Sequence, residues 1–136
     1  MRDVYALMAA IGLFSLSAHA QQYPASCWML HDLSGVGYFQ DDGYSPQIDK
    51  FSKPLRLILN GDGTTVGEDS LAMMQLDEFM AVGMGKTDTF TTVETYQVDP
   101  TLGVALYTKA IYGKSEFSNM TGARTFTGRA VRCQAK

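Results

Sequence analysis

The chain has 136 residues, 11 of them basic and 14 acidic, with a formal charge of -3 at pH 7. That length suits one domain with a single modest core, and charges scattered singly along it exclude the basic stripe that nucleic-acid binding requires. No segment after residue 20 approaches the ~20 consecutive apolar residues of a membrane-spanning helix.

The N-terminus reads as an export signal. Arg2 opens a short charged region, offset by Asp3, and Ala6 to Leu16 form an apolar run too short to span a bilayer. Ser17-Ala18-His19-Ala20 then places small residues three and one positions before a cut at Gln21. Residues 1–20 are therefore expected to be a signal peptide and 21–136 a single mature β domain, periplasmic or secreted. Cys27, behind Pro24-Ala25-Ser26, lies too far from the apolar run for lipid attachment.

A first strand is expected from Cys27 to Phe39, with Gly35 and Gly37 marking a bulge or a close backbone approach. His31 is the sole histidine after the cut. Asp32 adjoins it, yet the chain has no Gly-x-Ser-x-Gly elbow or His-Glu-x-x-His spacing, so His31 reads as a surface residue. The carboxylate pairs Asp41-Asp42, Glu68-Asp69 and Asp77-Glu78 are adjacent in sequence, which says nothing of the facing geometry a glycosidase needs. No catalytic residue and no metal ligand is assigned.

Pro54 to Leu59 forms a compact strand, and Asn60-Gly61-Asp62-Gly63 is a strong turn signal for a type I′ hairpin returning through Thr64 to Val66. The same stretch fails as a calcium loop, because the sixth and twelfth positions counted from Asn60 are Thr65 and Leu71. Asp69 or Ser70 is placed to cap a short helix over about 70–82, ending at Gly83, with a pair of strands as the alternative. Met73, Met74, Met80 and Met84 cluster there. Methionine fills irregular cores, lines adaptable contact surfaces, and as a thioether binds Cu(I).

From Phe90 onward the period is two. Phe90, Thr92, Glu94, Tyr96 and Val98 share a face, Asp99 to Gly103 makes a turn, and Val104, Leu106, Thr108, Ala110 and Tyr112 continue a returning strand. A polar connector over residues 113–122, holding the Asn119-Met120-Thr121 sequon, leads to a last strand from Arg124 to Cys133. In an oxidising compartment Cys27 and Cys133 are expected to pair, clamping first strand to last. Trp28 and Arg132 resemble the calycin pairing, in which a first-strand tryptophan packs beneath a last-strand arginine, although Trp28 follows Ser26-Cys27 where the calycins have Gly-x-Trp.

The expected architecture is mainly β: a small antiparallel meander barrel or strongly twisted sheet with one short helix, closed by one disulfide, with an open sandwich as the alternative. Abundant aromatics and methionines, against few candidate acids, bases or nucleophiles, point to a non-enzymatic binding module without a cofactor. Its partner is an apolar small molecule or an envelope protein, and Met73, Met74, Met80, Met84, Tyr96, Tyr107 and Tyr112 are the expected contacts. The alternatives are an envelope hydrolase using loop carboxylates such as Asp41, Asp42 or Glu68, and a copper-handling protein using Met80 and Met84.

Overall fold

The computed structural model describes residues 23–68 and 71–134, so the signal-peptide reading falls outside the described residues. The strands are β1 Ser26–Phe39, β2 Pro46–Lys50, β3 Leu55–Leu59, β4 Thr65–Val66, β5 Met73–Asp77, β6 Met80–Lys86, β7 Phe90–Asp99, β8 Val104–Gly113 and β9 Gly122–Cys133. Short 3-10 turns occupy Gln40–Asp42, Gly61–Gly63 and Ser115–Met120. Among the described residues no helix is long and apolar enough to cross a membrane.

All strands join one antiparallel sheet in the order β4-β3-β1-β9-β8-β7-β6-β5. The sheet curls into a nearly closed barrel because β1, long and bent, serves two neighbours on the same edge. Its first half pairs with β3 and its second half with β2. The bend is a register shift between His31 and Ser34, where Asp32 takes a positive φ of 55°. The expected bulge therefore sits just before Gly35 and Gly37. The close approach is real at Gly35, where a Cβ would run into the Thr125 carbonyl oxygen of β9. At the open seam a side chain does the bridging: Gly61 N–H donates to Gln75 Oε1 at 2.8 Å, and Gln75 Nε2 donates to the Glu78 carbonyl at 3.3 Å.

The Cys27–Cys133 disulfide forms between directly opposed residues of β1 and β9, with Cα atoms 5.0 Å apart. One residue on, Trp28 faces Arg132, whose guanidinium lies 4.8 Å from the indole ring centroid, the arrangement the calycin resemblance implies. Trp28 points inward and meets Phe79 edge-on at 6.0 Å. Around them Leu30, Leu33, Leu57, Leu59, Val98, Ala105 and Ala130 fill the core at this end of the barrel. Burial of these side chains contributes roughly 1.5–3 kcal/mol for each large one.

Two expectations are corrected, and one strand adds to those expected. Residues 70–82 do not form a helix: β5 and β6 make a hairpin there, turning at Glu78-Phe79. The reason is a reversal of the usual pattern. The inward positions of β6 are Ala81, Gly83 and Gly85, small because the Met73 and Leu71 side chains fill the space a larger residue would need. The apolar signal of β6 thus comes from its outward face, where no two-residue period was expected. The Asn60 turn closes the β3–β4 hairpin, but as a 3-10 turn with positive φ at Gly61 and not at Asn60, so it is not type I′. Finally, β2 was not anticipated. Its outward Ile48 is 89% exposed and only Asp49 turns inward, leaving no alternating apolar signal to read.

Candidate functional site: a charged row beside an aromatic row

The register of β7, β8 and β9 sets inward side chains into transverse rows. One row is aromatic: Tyr96 faces Tyr107, which faces Phe126, which faces Gly35 of β1. The rings stack like rungs at the strand spacing, Tyr96 on Tyr107 at 4.5 Å and Tyr107 on Phe126 at 5.3 Å between centroids. Phe51, entering from the β2–β3 connection, packs edge-on against Tyr107 and Phe126. Glycine at position 35 lets β1 lie close against the Thr125–Phe126 backbone of β9.

The next row, toward the end of the barrel that carries the 3-10 turns Gln40–Asp42 and Ser115–Met120, is charged. Glu94 faces Lys109, Lys109 faces Arg124, and Arg124 faces Gly37. The Glu94 side chain is 3% exposed and lies 2.6 Å from Lys109 Nζ. Its other oxygen accepts the Tyr96 phenol hydrogen at 2.9 Å. Burial first, then Tyr107 and Glu94, push the Tyr96 phenol far above its ordinary pKa, so it stays protonated and donating. Arg124 reaches past Gly37, which offers no side chain, to donate from Nη1 to Asp49 Oδ2 at 2.9 Å and to lie 4.8 Å from the Phe39 ring centroid. The row therefore runs carboxylate, ammonium, guanidinium, carboxylate, with the two cations adjacent.

Both rows border a cavity of about 530 Å³, whose remaining walls include Leu55, Val66, Glu68, Ile111 and Met120. A smaller recess of about 200 Å³ lies alongside, formed by Phe90 and Thr92 and sharing Lys109, Ile111 and Met120 with the first. The volume is in the range that holds small organic ligands, and the lining is mostly apolar with a few convergent polar groups. A buried carboxylate at an inward strand position is unfavourable unless paired, and a well-packed apolar residue would generally serve stability as well. Its presence beside a cavity is a mark of a functional site.

The residues expected to make contacts divide. Tyr96 and Tyr107 lie in the cavity wall. Met73 is buried in the core, and Met80 is half-buried on β6. Met84 at 65% and Tyr112 at 62% exposure lie on the outer face of the sheet with Met74, Leu76 and Val93, away from the cavity. Met84 stands directly opposite Val93, and Met74 opposite Val82. His31 faces Arg129 beside the exposed Asp32–Arg129 ion pair and does not line the cavity. Asp41, Asp42 and Glu78 are exposed in turns and Asp77 is exposed at the end of β5, while Glu68 sits on the cavity wall and Asp69 lies outside the described residues. Among the described residues no three His, Cys, Asp or Glu side chains converge on a common point.

Sequence reasoning missed Lys109, Arg124, Asp49 and Phe51, and it gave Glu94 no role. A signal existed in the phase of the strands. Glu94 is in step with Tyr96 and Val98, Lys109 with Ala105 and Tyr107, and Arg124 with Phe126 and Ala130. Charged residues in the apolar phase of three neighbouring strands are the trace such a row leaves. Compared with known proteins, the chain matches no protein-family model, no curated protein and no solved structure.

Proposed function

We propose that this chain is an exported, non-enzymatic binding module that takes a small, largely apolar molecule into the cavity beside Tyr107 and Lys109. The observation that carries the reading is the cavity of about 530 Å³, walled by aromatic and aliphatic side chains around a buried ion pair. A nearly closed barrel whose first and last strands are cross-linked suits such a role, since a preformed pocket loses little conformational freedom when it is filled. The disulfide also supports export, because structural disulfides persist in oxidising compartments.

The test is native mass spectrometry of protein recovered from the envelope or medium of producing cells, followed by titration with hydrophobic probes. A co-purifying small molecule, or saturable uptake of a probe that Ile111→Trp abolishes by filling the cavity, is the expected result. Protein that emerges empty and takes up no probe would refute the cavity reading. The outward face bearing Met74, Met84 and Val93 favours a competing version, in which the partner is an envelope protein. There Met84→Glu, and not Ile111→Trp, would abolish binding. Export is tested separately, by N-terminal sequencing of the recovered protein, which should begin at Gln21.

A further inference from the structure

Lys109 and Arg124 stand directly opposite one another on β8 and β9, both facing the barrel interior. Like charges in opposed positions of an antiparallel pair repel, with Cβ atoms only about 5 Å apart. Glu94 draws Lys109 to one side and Asp49 draws Arg124 to the other. The space between the two cations opens on the cavity that both line. Arg124 Nε, moreover, is buried without any hydrogen-bond acceptor. Lys109 has three ammonium hydrogens, and among the described residues Glu94 is its ion-pair partner. The two carboxylates of the row already hold donors, so what the site has in surplus is N–H groups, at the point where positive charges face each other.

We infer that the cavity ligand is a hydrophobic monocarboxylic acid, whose carboxylate lies between Lys109 Nζ and the Arg124 guanidinium while its hydrocarbon body lies against Phe51, Leu55, Ile111 and Met120. The inference rests on the cavity-binding reading and adds the chemistry of the ligand. A carboxylate supplies an acceptor to both cations, through charge-assisted hydrogen bonds of the kind guanidinium groups form well. It also separates the opposed cations. A singly charged carboxylate is opposed less than a doubly charged phosphate, because Glu94, Asp49 and the wall residue Glu68 already bring three carboxylates to the site's surroundings.

The experiment compares decanoate, decanamide and decanol by isothermal titration calorimetry with the disulfide-intact chain, below the aggregation limit of each probe. The acid should bind tighter than the isosteric amide by on the order of tenfold or more, the loss that follows when a buried donor is left unpaired. In Arg124→Gln the gap between acid and amide should close, with near-ultraviolet circular dichroism of the stacked tyrosines confirming the fold. Raised salt should weaken the acid more than the alcohol. If acid and amide bind equally to the unmodified chain, the carboxylate inference is overturned while cavity binding stands. If no probe binds, both fail. The comparison on the unmodified chain decides the matter even if Arg124→Gln does not fold.

Discussion

Glu94 and Lys109, directly opposed on β7 and β8, form an ion pair in which the carboxylate is almost wholly buried and the ammonium is 29% exposed. That asymmetry determines how the pair responds to mutation. Lys109→Met leaves Glu94 buried with only Tyr96 as a donor and should cost about 3 kcal/mol in urea unfolding. Glu94→Leu frees Lys109 to turn toward solvent but removes the acceptor of the buried Tyr96 phenol, and should cost about 1–2 kcal/mol. The double variant should recover most of the loss. Equal costs for the two single variants would show that the carboxylate is not desolvated as described.

The disulfide closes a loop with a sequence separation of 106 residues. On the chain-entropy account a loop of that size stabilises the fold by about 4–5 kcal/mol, with strain reducing the figure in practice. Cys27→Ala with Cys133→Ala should therefore lower the unfolding free energy by several kcal/mol, read from paired denaturation curves. A loss below about 1 kcal/mol would mean that the opposed β1 and β9 strands hold the ends without it.

Gly83 and Gly35 test the packing of the barrel wall in different ways. A Cβ at Gly83 meets the Met73 and Leu71 side chains, which can move, so Gly83→Ala should cost about 1 kcal/mol and be relieved by Met73→Ala. At Gly35 the obstruction is the Thr125 backbone, which has no rotamer to escape into. Gly35→Ala should cost clearly more than Gly83→Ala in the same thermal melt.

Hydrogen peroxide should sort the methionines by exposure. Met84 and Met74 project from the outer face and should oxidise first, whereas Met73 in the core should resist until the chain unfolds. Peptide mapping of partly oxidised protein reads the order. Early modification of Met73 would contradict the β5–β6 pairing.

The sequence laid out much of this molecule, and the reasons are local. Strict alternation in β7 and β8, the turn from Asp99 to Gly103 and the threonine-rich character of these runs define a hairpin without reference to anything distant. Two cysteines near opposite ends, read with an expected export signal, were enough to propose the bridge and so the adjacency of first and last strands. The contact of Trp28 with Arg132 was implied by the calycin resemblance, and it lies next to that bridge.

What the sequence alone could not decide depends on partners brought from elsewhere in the chain. Whether β6 carries its small residues inward depends on Leu71 and Met73 lying over them, and only the curled sheet puts them there. Glu94, Lys109 and Arg124 come from three strands, and Asp49 from a fourth that had no pattern to announce it. Each taken singly is an ordinary surface charge. Register alone makes them one row, because a shift of a single residue in any strand would turn its charge to the outer face.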